Sequence, residues 1–227
     1  MFDQYGTVVD MQTGLTQVAA PYLRDKGWTG DPHAFVTWWR RTHFENSMID
    51  TLLQREHTPY REIGHRSVAW VLERAGISYT MAEVRHLVAQ IETLRPFPEV
   101  PEALARLKTR YQIVVLSNGD PDMLEAAKRY HGIPFDAVIS AAVANAFKPH
   151  VATYTRAAEI MGVSMSDVLF VANHGFDCVG AKSAGMYAAF IDRRQRPFGA
   201  TPHQPDLVVA DMTELAEVLC SPPAVSR

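Results

Sequence analysis

The stretch Ile113-Val114-Val115-Leu116-Ser117-Asn118-Gly119 decides the fold class: a continuous apolar run stops abruptly at small polar residues, and Asp120-Pro121 follows. An apolar run without alternation marks a strand buried on both faces, as strands are in a parallel sheet covered by two helical layers. Pro121 suits a first helical position, and Asp120 reads as the N-cap of a helix reaching Tyr130. The same unit recurs downstream. Ala137-Val138-Ile139 precedes a helix through Tyr154 to Met161, and Val168-Leu169-Phe170-Val171 precedes a helix after Asp177. Ala188-Ala189-Phe190-Ile191 and Leu207-Val208-Val209 supply the last strands. The pattern predicts an α/β, Rossmann-like, doubly wound parallel sheet, in which ligands gather at the carboxyl ends of the strands.

Upstream the pattern changes. A short helix near Glu102 to Lys108 is preceded by Arg95-Pro96-Phe97-Pro98-Glu99-Val100-Pro101, which reads as a hinge. Before that hinge the chain is helical. Asp31-Pro32 opens a helix past Trp38 and Trp39 towards Leu53, and Thr58-Pro59 opens another towards Arg74. Thr80 and Glu83 form a capping box ahead of Val84, Leu87, Val88 and Ile91, which share one helix face. The expected organisation is a core of residues 1–11 and 96–227 with a helical domain, 12–95, inserted into it. The strand ahead of the insertion then carries Phe2-Asp3-Gln4-Tyr5-Gly6-Thr7, with the Asp3 carboxylate at its end and a tight turn at Gly6. Only Met1 and Phe2 precede Asp3, whereas a central strand has about 5 residues. Either the natural start lies upstream, or the sheet holds Asp3 on an unusually short strand.

Composition limits the partners. The 227 residues are 47% hydrophobic and 21% charged, which suits a soluble globular protein with a sizeable core. A net charge of -3, from 22 basic and 25 acidic residues, offers no field for nucleic acid or an anionic membrane, so a small-molecule partner is expected. No apolar run approaches the roughly 20 residues of a membrane span, and no basic segment leads into an apolar one as in an export signal. Cys178 and Cys220 fit no metal-binding or redox spacing, and a cytoplasmic location is expected.

Four motifs in order are specific. Asp3-x-Tyr5-Gly6-Thr7, Ser117-Asn118-Gly119, Lys148-Pro149 with Tyr154 six residues beyond the lysine, and Asp177-x-x-Gly180-Ala181 together resemble the haloacid dehalogenase superfamily. The L-2-haloacid dehalogenase branch is the nearest match, and the helical insertion sits where that family places its cap. The resemblance implies hydrolysis of short 2-haloalkanoic acids to 2-hydroxy acids. The Asp3 carboxylate would displace halide from C2 in line, with inversion, and water would then attack the aspartyl carbon of the ester.

Roles follow from the same resemblance. Lys148 neighbours Asp3, and Arg40, after Trp39, receives the halide beside Phe44, Tyr60 and Phe176. Thr7 and Tyr154 position the nucleophile and substrate, while Asp177 orients or activates the hydrolytic water. Ser117, Asn118 and the Tyr5-Gly6-Thr7 backbone hold the substrate carboxylate, with Arg41 a further candidate contact. Phosphatases of this fold carry a second acid two residues after the nucleophile and further acids for magnesium. Tyr5 and Asn173 stand in those places here, so no cofactor is expected. A homodimer through the cap is also implied.

Each residue also has a plainer reading. Asp3 can close an Asx turn, Arg40 and Arg41 can be a solvated helix face, Lys148 a surface lysine and Asp177 an N-cap. Tyr154, Phe44, Tyr60 and Phe176 can be packing alone. Where the dehalogenases read Ser-Ser-Asn-x-Trp-Asp, this chain has Ala172, Asn173, His174, Gly175, Phe176 and Asp177. His174 thus stands at the place of a substrate-contacting asparagine, which implies a different pocket polarity. Two other functions remain open from sequence: a magnesium-dependent phosphatase of the same fold, and a diverged protein without catalysis.

Overall fold

The computed structural model describes residues 1–53 and 56–221. Helices α1 (Met11–Asp25), α2 (Pro32–Leu52), α3 (Tyr60–Arg74) and α4 (Met81–Ala89) come first. Three start where a side chain satisfies free N–H groups: Asp10 at α1, Asp31 at α2, and Thr80 at α4 with both halves of its capping box formed. The four pack in sequence order, each on the next.

The α/β part follows as α5 (Val100–Lys108), β1 (Val114–Ser117), α6 (Pro121–His131), β2 (Ala137–Ser140), α7 (Val151–Met161), β3 (Leu169–Ala172), α8 (Gly175–Ser183), β4 (Tyr187–Ile191), β5 (Leu207–Val209) and α9 (Met212–Cys220). The last helix is an addition to the sequence reading. Its signal was present, since the Asp211 carboxylate accepts from Glu214 N and Leu215 and Ala216 are buried beneath it.

Every strand pair is parallel, β1 with β2 and β3 with β4 and then β5. Phe2 joins the two groups by bridging Val115 on one side and Val171 on the other. Phe2 N donates to Val114 O at 2.7 Å and Asp3 N to Val171 O at 3.0 Å, while Leu116 N donates to Phe2 O at 3.0 Å. The spatial order is therefore β2-β1-Phe2-β3-β4-β5. The chain leaves β1 in one direction and β3 in the other, so residues 1–3 lie at the switch point where such sheets bind ligands.

Alternation sorts the strands onto two faces. Val114, Leu116, Phe170, Ala172, Ala188 and Phe190 pack with α7 and α8 residues such as Tyr154 and Cys178. Val115, Val171, Ala189 and Ile191 face the other way, in a cluster continuous with Leu104 and Leu215 and with Leu15, Trp39 and Leu87 of the inserted helices. Both faces are thus covered, as the unalternating strands require.

Two local readings change. The Asp120 side chain makes no cap bond to α6. Its two oxygens instead accept from Tyr60 N at 2.8 Å and Arg61 N at 2.9 Å, capping α3 across the fold. The reason is that Pro59, just before α3, has no side-chain acceptor, so its first N–H groups need a partner from elsewhere. Helix α8 also begins at Gly175 rather than after Asp177. Asp177 therefore lies inside its first turn and is no N-cap.

Candidate active site

Asp3 ends the central segment, and the chain turns back at once. Val8 N and Val9 N both donate to Gln4 O at 3.0 Å, and Gly6 N donates to Val9 O at 2.9 Å. Gly6 has φ +92°, and a Cβ there would come 2.9 Å from His174 Cε1 and 3.3 Å from Arg40 Nη2. Glycine is required on both counts. The turn also returns Thr7, whose hydroxyl donates to Asp3 Oδ2 at 2.7 Å and accepts from Asn173 N at 2.9 Å.

Beneath the nucleophile lies a closed charge cluster. Lys148 Nζ donates to Asp3 Oδ1 at 2.9 Å and to Asp177 Oδ2 at 2.6 Å, and Lys148 is only 1% exposed. The Tyr154 hydroxyl donates to the other Asp177 oxygen at 2.5 Å. Burial works to raise the Asp3 carboxyl, but Lys148 and then His174 outweigh it and hold the group well below the usual carboxylate range. Burial, reinforced by the Asp3 charge, raises Asp177 despite Lys148. Of the two acids on one cation, Asp3 is the more strongly held in its ionised form.

Above Asp3 opens a cavity of about 550 Å³. Asp3 is its sole acidic lining residue among the described residues, against Lys148, Arg40, Arg41, Arg194 and Arg196. Such a wall suits an anion. Burial first, and then the charge of Arg194, lowers the Arg40 guanidinium to about 10. Its Nη1 donates to Gln12 Oε1 at 2.8 Å, whereas its Nε has no partner. The apolar side comprises Phe44 stacked on Phe176 at 4.0 Å between centroids, and Tyr60 stacked on Tyr5 at 5.9 Å.

The cavity thus brings together Asp3, Tyr5, Arg40, Arg41, Phe44 and Tyr60 with Asn118, Lys148, His174 and Phe176. Arg41 lies at the rim and pairs with Glu45, on an exposed helix face. Thr7, Ser117, Tyr154 and Asp177 are fully buried and are absent from the cavity wall. The Ser117 hydroxyl accepts from Gly119 N at 3.3 Å, and Asn118 Oδ1 accepts from Lys148 N at 2.8 Å, so this turn orients the lysine. Asn173 Nδ2 donates to Ile191 O at 2.6 Å, tying the loop after β3 to β4. His174 Nδ1 stands 3.4 Å from Asp3 Oδ2.

Sequence reasoning missed several contributors. Gln12 anchors Arg40, and Gly119 leaves room for the Tyr5 hydroxyl, which a Cβ there would meet at 2.6 Å. Arg194 reaches the cavity from the loop after β4, where nothing in the local sequence separates it from neighbouring arginines.

The model of the haloacid dehalogenase-like hydrolases matches residues 1–185. The (S)-2-haloacid dehalogenase of Xanthobacter autotrophicus is 31% identical over 195 residues, spanning 85% of this chain and 74% of that protein. A defluorinating L-2-haloacid dehalogenase structure superposes with a TM-score of 0.86 at 29% identity, covering 97% of this chain and 94% of the other. The Xanthobacter autotrophicus L-2-haloacid dehalogenase with chloropropionic acid covalently bound gives 0.83 at 28% identity, with 96% of each chain covered. With the fold, the order of the motifs and these likenesses in agreement, the chain belongs to the haloacid dehalogenase-like hydrolase family.

Proposed function

We propose that the protein hydrolyses short 2-haloalkanoic acids to 2-hydroxy acids through an ester on Asp3, without a metal and with inversion at C2. The observation that carries this reading is a buried carboxylate, held ionised by Lys148, at the floor of a cavity whose other charges are cationic. An anionic substrate brings a second negative charge close to Asp3, and Lys148 and the arginines offset that repulsion. Arg40 would draw off the halide beside Phe44, Phe176 and Tyr60, while the Tyr5-Gly6 turn and Asn118 hold the carboxylate. Thr7 keeps the Asp3 carboxylate aimed. Ser117 and Tyr154 act from behind the wall, through Gly119 and Asp177.

Residues 12–95 serve in this reading as a cap over a core of 1–11 and 96–227, and a dimer forms through that cap. Size-exclusion chromatography with light scattering tests the dimer; a monomer at assay concentration would remove it from the proposal. No helix among the described residues is long and apolar enough to cross a membrane.

Magnesium does not fit this donor set. The Lys148 ammonium lies within 2.9 and 2.6 Å of the Asp3 and Asp177 oxygens, on the spot a cation bridging the two would need. Tyr5 replaces the acid that a phosphatase uses for its leaving group, and the Asn173 amide is committed to Ile191. Chloride release from chloroacetate and from both enantiomers of 2-chloropropionate, with and without EDTA, tests the reading. Release that survives EDTA, favours the (S) enantiomer and vanishes in Asp3→Asn is expected. Phosphate-ester hydrolysis abolished by EDTA, with no halide released, would overturn it. In labelled water, the first turnover by excess enzyme should place unlabelled Asp3 oxygen in the product.

A further inference from the structure

A 2-haloacid of two or three carbons leaves much of the cavity's charge unused. Lys148 is shared between Asp3 and Asp177, and Arg41 pairs with Glu45. In the dehalogenase reading Arg40 serves the halide, while the Tyr5-Gly6 turn and Asn118 serve the carboxylate beside the reacting carbon. That leaves Arg194 and Arg196, which line the same cavity. They belong to a turn after β4 that Asp192 closes: its backbone oxygen accepts from Gln195 N at 3.1 Å, and its carboxylate accepts from Arg196 N at 2.9 Å. Arg193 beside them is engaged off the cavity wall, with Nη1 2.6 Å from Glu99 Oε1 and Nη2 donating to Thr7 O at 3.2 Å. Neither the Arg194 nor the Arg196 guanidinium has an acidic partner among the described residues. Burial and then the charge of Arg196 lower the Arg194 guanidinium, as burial and then Arg194 lower Arg40. Three cations thus crowd one another at a cavity of about 550 Å³, a size that takes ligands far larger than chloroacetate. An anion between them offsets that repulsion.

We propose that Arg194 and Arg196 form a second anion subsite, and that the preferred substrates are 2-haloalkanedioic acids whose distal carboxylate they bind. This rests on the dehalogenase reading and extends it from the reacting end of the substrate to the other end. Arginine suits the task, because its planar guanidinium gives two parallel N–H donors to one carboxylate. An apolar tail in the same place would cover two guanidiniums without offering them an acceptor, the arrangement by which a polar site rejects an analogue. The covalent steps are unchanged. Asp3 bonds to C2 as the halide leaves with its electron pair, and water then cleaves the ester to a 2-hydroxyalkanedioic acid, with one proton released and the Asp3 carboxylate restored. The distal carboxylate takes no part in making or breaking bonds.

The test compares chloride release from the (S) enantiomers of 2-chlorosuccinate and 2-chlorobutyrate, which share a chain length, and of 2-chloroadipate and 2-chlorohexanoate. Ionic strength is held fixed and the enzyme-free rate subtracted. In at least one of the two pairs kcat/KM should favour the diacid by roughly tenfold or more. Arg194→Gln and Arg196→Gln, singly and together, should move that ratio toward one, chiefly through KM. Arg41→Gln removes a charge that Glu45 already offsets and should leave the ratio in place, which separates a subsite from a general attraction of anions. Succinate should also inhibit chloroacetate turnover competitively at lower concentration than butyrate does, and should lose that advantage in the double variant. Equal kcat/KM within both pairs, a diacid preference that survives the double variant, or an equal fall of the ratio in Arg41→Gln overturns the proposal, while chloroacetate turnover leaves the dehalogenase reading standing. A wild-type protein that releases no chloride from any of these acids overturns both.

Discussion

The floor and the walls of the cavity are built on opposite terms. On the floor, Asp3, Thr7, Lys148, Asp177 and Tyr154 satisfy one another in a closed set of hydrogen bonds and ion pairs. On the walls, the Tyr5 hydroxyl and Arg40 Nε are buried with no hydrogen-bond partner, and His174 Nδ1 faces Asp3 Oδ2 at 3.4 Å. Orphaned buried polar atoms are rare and costly in folded proteins. Those beside one carboxylate leave contacts that a ligand there can complete. The floor is preorganised before substrate arrives, which is what electrostatic catalysis requires, and the walls are left incomplete for it.

The most severe way to break the floor is Lys148→Ala. It leaves two buried carboxylates facing each other without their cation, at a cost of about 3–5 kcal/mol by analogy with broken buried pairs. Denaturant unfolding should show that loss, and halide release should vanish; unchanged stability would mean that the cluster is not the buried ion network described. Gly6→Ala strikes where floor and wall meet. Its positive φ and the contact with His174 predict a loss of about 1–3 kcal/mol with a fall in activity, read by thermal unfolding and by the halide assay.

Asp120→Ala removes the side chain that caps α3 from the far side of the fold. About 1 kcal/mol of stability should go with it. KM should rise more than kcat falls, because Tyr60 of the apolar wall is the first residue of that helix. Equal KM values for variant and wild type would sever that link.

A pH titration sharpens the contrast more gently. The folded Asp3 carboxyl is depressed, so its share of stability is present above the unfolded carboxylate value and disappears as pH falls through the folded one. The stability gap between wild type and Asp3→Asn should accordingly be open near neutrality and narrow below about pH 4. A gap that widens with acid would reverse the sign assigned to Asp3. Arg41→Ala should do least, within about 0.5 kcal/mol, because its pair with Glu45 is solvated.

The α/β core was largely legible because each of its strands is a short apolar run bounded by turn residues, a pattern that burial on two faces imposes directly. The inserted helices were legible through Asp31-Pro32 and the Thr80–Glu83 box, which are local signals for free N–H groups. Asp120 was misread for the same reason: its neighbour Pro121 makes it look like a local cap, and the N–H groups it serves are 60 and 59 residues away. Phe2 bridges both neighbouring strands, so Asp3 stands at the end of a three-residue central segment.

What the sequence determined by itself was the order of the elements, the glycine turn after Asp3 and the identities of the charged groups. Chain pattern and residue chemistry carry these without reference to distant contacts. What only the tertiary structure decided was which groups share a partner and which are left without one. Lys148 between Asp3 and Asp177, Asp177 enclosed behind it and His174 beside the nucleophile all depend on contacts 29 to more than a hundred residues apart. Those distances set how strongly each charge is desolvated and offset, and that balance separates a carboxylate kept ionised for attack from one whose charge is spent on holding a lysine.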